Sequence, residues 1–210
     1  MNSYGTPGGT LVRAGGWTTG DRAAQGRVGE LACAELLGQA FSADPDVYVL
    51  HDLRIPGYQA NVDHVVVRGF HILVIDAKQW KPGLYWTMGG TTRRGREAVP
   101  HADKQTLAAA ARKLRERILA VGDSTPAVKP HLAGLRIDAV TVVFASNDNG
   151  KVNTTLYRPK DGTAIAAGPR AAGRLKKMLD TTGSPAPCGP ILRSLHGLLP
   201  DQTTVTAHGR

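Results

Sequence analysis

The sequence predicts an α/β fold with a mixed central β-sheet flanked by helices. Three observations carry this expectation: a helix with an apolar stripe comes first, three or four consecutive strands follow it, and helix, strand and helix then fill the second half. A strict βαβ repeat would produce a wholly parallel sheet, whereas a block of adjacent strands before the second helix demands antiparallel neighbours too.

Residues 1–20, rich in Gly, Ser and Thr, read as a flexible leader, and residues 200–210 as a flexible polar tail; 21–199 then form one domain. Asp21 suits the N-cap of a helix expected from about Arg22 to Phe41. Its stripe of Cys33, Ala34, Leu37 and Phe41 follows i, i+3, i+4 spacing and runs back through Glu30, while Glu35 points the other way. A carboxylate on an inward stripe is costly unless it is paired or ligates a metal, and both readings stand at this point.

Tyr48 to Ile55 reads as a strand ended by Pro56-Gly57. Two β-branched runs, Val62 to Val67 and Ile72 to Ile75, flank Arg68-Gly69-Phe70-His71, the signature of a tight hairpin. Gly83 to Thr87 is a short strand, and Gly89 to Val99 reads as an exposed basic loop carrying Arg93, Arg94 and Arg96. The clearest helix is expected over about Ala102 to Val121, with Leu107, Ala110, Ala111, Leu114, Ile118 and Val121 on one face and Lys113 and Arg117 off it. Ile137 to Ala145 is a buried strand and Val152 to Tyr157 an edge strand. Arg170 to Asp180 and Ile191 to Leu199 read as short helices, the first with Arg174 and Lys177 off its core face.

Charge narrows the partners. The chain holds 26 Lys and Arg against 17 Asp and Glu, a formal net charge of +9. Residues 1–100 contribute +1 of this and residues 101–210 the remaining +8. Such an excess points to a polyanion, nucleic acid or an anionic membrane surface, with a merely basic surface as the bland reading. Cys33 and Cys188 are too few and too far apart for a disulfide framework or a zinc cluster. With no apolar run long enough to span a membrane, the cytoplasm is the expected compartment and no membrane partner is expected. Walker A, His-Glu-x-x-His and Gly-x-Ser-x-Gly motifs are absent from the sequence.

The chemistry gathers on residues 61–78. With Gly69-Phe70 as a two-residue loop, Asp63 falls opposite Asp76, and alternation by two puts Lys78 on the face of Asp76. Directly opposed Cβ atoms stand roughly 4.5–5.5 Å apart, so the two carboxylates repel unless something positive lies between them. A hard divalent cation, Mg²⁺ or Mn²⁺, fits: it prefers carboxylate and carbonyl oxygens, which Asp63, Asp76, Glu30 and the Ala77 backbone would supply. Lys78 would then hold or polarise an attacking water, an arrangement suited to phosphodiester hydrolysis. Asp-x-Lys by itself is short enough to be an ordinary cross-strand ion pair, but it follows the apolar run Ile72-Leu73-Val74-Ile75, so the acid lies at the end of a buried strand.

Four ordered segments, Gly26-Arg27-Val28-Gly29-Glu30, His51-Asp52-Leu53, Asn61-Val62-Asp63-His64-Val65-Val66-Val67 and Val74-Ile75-Asp76-Ala77-Lys78, resemble the nuclease-related domain, NERD, a family placed in the PD-(D/E)xK nuclease superfamily. The likeness covers roughly residues 22–110. It implies a restriction-endonuclease-like core, with Glu30 as the helix acid, Asp63 and Asp76 as metal ligands and Lys78 as the catalytic lysine. It also implies a Gln opening the next helix, which is Gln105 here; the Pro100-to-Gln105 spacing is looser than the family pattern, and Asp76 stands where Glu is commoner.

The expected function is therefore a metal-dependent nuclease acting on nucleic acid, DNA in preference to RNA, with a metal-activated water as nucleophile. Arg93, Arg94 and Arg96, with Lys113, Arg117, Arg174 and Lys177, are the expected phosphate contacts. Two alternatives remain: a non-cleaving nucleic-acid-binding or accessory module on the same fold, and a basic domain at an anionic membrane or protein surface. His64 alternates away from Asp63 and reads as a packing residue; Trp80, Tyr85 and Trp86 read as core rather than as base-stacking platforms.

Overall fold

The computed structural model describes residues 1–9, 20–57, 61–103, 106–123, 125, 129–147, 149–186 and 188–200. The strands are β1 (Asn2–Tyr4), β2 (Val47–Leu53), β3 (Val62–Arg68), β4 (His71–Trp80), β5 (Gly83–Met88), β6 (Thr91–Arg94), β7 (Glu97–Ala98), β8 (Arg136–Ala145), β9 (Val152–Leu156) and β10 (Ala164–Ala167). The helices are α1 (Gly20–Phe41), α2 (Thr106–Asp123), α3 (Ala171–Leu179) and α4 (Gly189–His196).

Six strands form the main sheet in the order β1-β2-β3-β4-β8-β10. β2, β3 and β4 run antiparallel as an up-and-down block, while β1 joins β2, and β8 joins β4 and β10, in parallel. The sheet is thus mixed, as the element order requires. Helices cover both faces. On one side α2 and α4 pack on Val65, Val67, Ile72 and Val74; on the other, α1 and α3 pack on Val66, Leu73 and Ile75. Strands buried on both faces read as continuous β-branched runs, which is why Ile72 to Ile75 shows no polar alternation. Cys33, Leu37 and Phe41, the apolar stripe of α1, are at most 1% exposed, and full burial of an aliphatic or aromatic side chain stabilises by roughly 1.5–3 kcal/mol.

The β3–β4 hairpin turns as the sequence requires. Arg68 faces His71 and Val65 faces Val74, with Gly69 at φ +59° opening the two-residue loop; a positive φ at the first loop position belongs to the primed turns whose twist matches a hairpin.

Several expectations need correction. Asn2–Tyr4, placed in the leader, is an edge strand whose residues pair with Tyr48, Val49 and Leu50. Residues 10–19 and 201–210, the rest of the expected leader and tail, lie outside the described residues. The exposed basic loop is also absent: Gly89 and Gly90, both with positive φ, form a tight turn that folds Thr91–Arg94 back on β5. β7, β6, β5 and β9 then make a second, four-stranded sheet. A 3-10 turn, Pro100–Asp103, comes before α2, which therefore starts later than the apolar period suggested. β10 went unanticipated because Ala-Ile-Ala-Ala carries little strand propensity; its pairing with β8 and the burial of Ile165 and Ala166 decide it.

The N-terminal segment continues from β1 in close contact with the body. Gly5 has φ +79°, and a Cβ there would stand 2.4 Å from the His51 carbonyl oxygen. Gly5→Ala should therefore lower the unfolding free energy by about 2 kcal/mol through positive-φ strain and the backbone clash. Urea denaturation checks this; an unchanged midpoint would mean that residues 1–5 do not dock in solution.

Candidate active site

The β3–β4 ladder ends at His64 opposite Ile75. Beyond that pair the Asp63 carboxylate replaces the strand carbonyl: its Oδ2 accepts the N–H of Ala77 at 2.7 Å. One step along the opposite side of β3, the β2–β3 ladder pairs His51 with His64 and Leu53 with Val62 but skips Asp52, whose φ is +59°. Continuing these registers puts Asp52, Asp63 and Asp76 in one row across three strands, with Thr141 of β8 beside Asp76. Asp76 pairs with the Lys78 ammonium two residues along its own strand, at 2.5 Å.

α1 supplies the fourth acid. Gly29 lies against β4 so closely that a Cβ would touch Gln79 Cγ at 3.3 Å and the Lys78 carbonyl carbon at 3.9 Å. The next residue, Glu30, is 9% exposed, with the Gly8 N–H donating to its carboxylate. The inward carboxylate of the helix stripe thus reaches the strand acids rather than a buried arginine. Asp52, 4% exposed, accepts a hydrogen bond from Asn61 Nδ2 at 2.6 Å.

Charge crowding dominates the electrostatics. Burial, then repulsion from Asp52, pushes Glu30 up to about 7. Burial, then repulsion from Asp76, holds Asp63 well above the usual carboxylate range. Burial alone would lower Lys78, but attraction to Asp76, Asp63 and Glu30 outweighs it and the ammonium titrates above an ordinary lysine. Lys78 is thereby held as an ammonium that donates to Asp76.

Carboxylates whose charges resist ionisation side by side, plus a strand-end carbonyl, match the oxygen ligands of a hard cation in chemistry. As placed, however, no three His, Cys, Asp or Glu side chains among the described residues stand close enough to hold an ion. Asp76 is bonded to the Lys78 ammonium, and Asp63 accepts the Ala77 N–H. The chemistry fits: Asp63, Asp76, Glu30 and the Ala77 carbonyl would hold the ion, and only Oδ1 of Asp76 is bonded to Lys78.

A narrow cleft of 40 Å³ opens beside the pair, lined among others by Asp76, Lys78, Trp80, His101, Thr141 and Tyr157. Trp80 and Tyr85 are 4% and 2% exposed and stack at 4.6 Å between ring centres, so they are core, as expected. Trp86 is half-buried, its indole N–H donating to the Gly95 carbonyl. His64 is fully buried, with its Nδ1 2.7 Å from His51 Nδ1. Burial depresses both imidazoles, His51 to about 4, which makes them neutral packing partners at pH 7.

The remaining expected residues scatter. Gln105 lies outside the described residues. Arg94 is ion-paired with Glu97, and Arg93 donates to the Arg96 carbonyl at 3.0 Å, so the hairpin holds part of its own charge. Lys113 is exposed, 3.4 Å from Glu116, and the Nε of Arg117 is buried without a partner among the described residues. Arg174 and Lys177 line a separate groove. Asp52 is the acid of this row that is not among the expected ligands; its place depends on the β2–β3 register, which no local signal in the sequence fixes.

No curated protein and no solved structure matches the chain. A family model does, that of the nuclease-related domain, over residues 25–143, which span Glu30, the Asp52–Asp63–Asp76 row and Lys78. With more than half its length matched and an α/β core of mixed sheet between helices, the chain belongs to the nuclease-related domain (NERD) family.

Proposed function

We propose that the protein is a nuclease of the PD-(D/E)xK kind, a metal-dependent phosphodiesterase that hydrolyses DNA with water as nucleophile, acting in the cytoplasm. The observation that carries this reading is the gathering of Glu30, Asp63 and Asp76 around Lys78 at the point where β3 and β4 part. Asp63, Asp76, the Ala77 carbonyl and Glu30 would hold Mg²⁺ or Mn²⁺, which when bound neutralises the anionic transition state and acidifies the attacking water. Lys78, cationic at neutral pH, donates to a non-bridging phosphate oxygen as charge builds on it. Glu30 orients the water from the α1 side, and the Ala77 N–H keeps Asp63 aimed into the site.

A second reading has its own support. Because Asp76 is engaged by Lys78 and no three acids among the described residues stand close enough together to hold an ion, a non-cleaving nucleic-acid-binding module on the same fold is the competitor. The deciding experiment incubates linear and plasmid DNA with the protein in Mg²⁺, Mn²⁺ or EDTA. Cleavage by the wild type in metal, absent in EDTA and in Asp76→Ala, is expected; equal degradation by wild type and Asp76→Ala would remove the nuclease reading.

A further inference from the structure

A strongly basic concavity lies outside the candidate active site. A groove of 1430 Å³ runs between α3, β10 and the segment after β9, and Arg136, Arg158, Arg170, Arg174 and Lys177 line it. Among the described residues, no carboxylate lines it. All five basic residues are exposed. Arg170, Arg174 and Lys177 are spaced i, i+4, i+7, so they form one stripe along α3 and the turn before it, opposite the buried Ala171, Leu175 and Leu179. The Arg158 guanidinium is fixed by donating to the carbonyls of Thr155 and Tyr157 at 2.8 and 2.9 Å. Arg136 is the partly neutralised member, at 2.8 Å from Asp138.

Two further facts indicate what the groove takes. It shares Tyr157, Pro159 and Thr163 with the cleft that contains Asp76 and Lys78, so the basic groove adjoins the candidate site. Its volume also exceeds the roughly 300–1,000 Å³ of small-molecule pockets. The α3 stripe covers about 10 Å along the helix axis, close to the axial rise of about three nucleotides of one strand.

We infer that this groove binds the sugar–phosphate backbone of the nucleic acid on the side leading away from the scissile bond. This rests on the nuclease-type reading of the site only for the polyanion's identity. The contacts are guanidinium, ammonium and hydroxyl groups, and its one aromatic, Tyr157, is buried with its hydroxyl bound to the Ala102 carbonyl. Recognition is therefore of the backbone and independent of base sequence. A concave channel suits a strand, whereas an anionic bilayer would need a flat or convex basic face.

The test is fluorescence anisotropy with a labelled 20-bp DNA duplex in EDTA, where cleavage does not enter. Arg174→Glu/Lys177→Glu should weaken binding roughly tenfold or more and reduce the slope of log affinity against log salt by about 2. Lys176→Glu makes a same-sign charge change on the same helix outside the groove and should stay within about twofold of the wild type, since a long-range charge effect is largely screened at ~0.15 M salt. Arg174→Gln/Lys177→Gln should fall between, which confirms a charge effect if a reversal variant folds poorly. Wild-type affinity and slope in both double variants, or an equal loss in Lys176→Glu, overturns the inference. So does binding to phosphatidylserine vesicles that requires Arg174 and Lys177 when DNA binding does not. Because binding is read without metal, a failed groove and a failed Asp76-dependent cleavage are separate results.

Discussion

Lys78→Met is expected to reduce metal-dependent DNA cleavage by about 10³-fold, the usual scale for removing a charged group that meets developing transition-state charge. Methionine keeps the length of the side chain and removes only the ammonium. In the structure that ammonium is the cation shared by Glu30, Asp63 and Asp76, so the substitution has a second consequence that does not depend on activity. Without it the carboxylates lose the attraction that lowers their proton affinity, and the metal-free protein should become more sensitive to alkaline pH than the wild type. Loss of cleavage with an unchanged pH–stability curve would place Lys78 outside the carboxylate cluster. Retained cleavage would contradict its role in the reaction.

Glu30→Gln should raise the unfolding free energy of the metal-free protein at pH 8 by roughly 3–4 kcal/mol while abolishing cleavage. The size follows from a carboxyl moved from 4.5 to about 7, each pH unit being about 1.4 kcal/mol. The sign follows from linkage. With its folded value raised, Glu30 contributes its stability below the unfolded value of 4.5, and that contribution is lost as pH rises through about 7. At pH 5 the wild type and Glu30→Gln should therefore differ little, and by pH 8 the variant should be the more stable. Glutamine can still accept the Gly8 N–H through its side-chain carbonyl, so the packing of the N-terminal segment is preserved. Mg²⁺ should raise the melting temperature of the wild type more than that of the variant. Parallel pH–stability curves, measured by urea denaturation in EDTA, would show that Glu30 does not share the strained carboxylate environment. A protein made more stable by losing a charged group is one that holds that group for chemistry rather than for folding.

Legibility in the sequence varied with the range of the interaction. Hairpin register was readable because Gly69 at a two-residue turn and two β-branched runs fix it locally, and the observed pairing of Arg68 with His71 follows. Glu30 was readable as an inward acid because helical periodicity is equally local. Asp52 was not read, because its importance depends on where β2 aligns with β3, and a positive φ takes it out of simple alternation. The Gly89–Val99 stretch looked like a loop since Thr-Thr-Arg-Arg carries no apolar alternation; its pairing with β5, and the bonds that Thr92 donates to the Asp103 carboxylate, make it a strand.

By itself the sequence determined the mixed α/β class, the facing of Asp63 towards Asp76, and the inward turn of Glu30, because periods of 2 and 3.6 and a glycine turn are set by neighbours in the chain. Only the tertiary structure decided that these acids meet at the parting of β3 and β4, that Asp52 joins their row, and that Asp76 is held by Lys78. It alone gathered five basic residues from β8, β9's exit and α3 into one groove. Those outcomes depend on strand order, burial and long-range charge, which join residues far apart in sequence and leave no periodic trace in it.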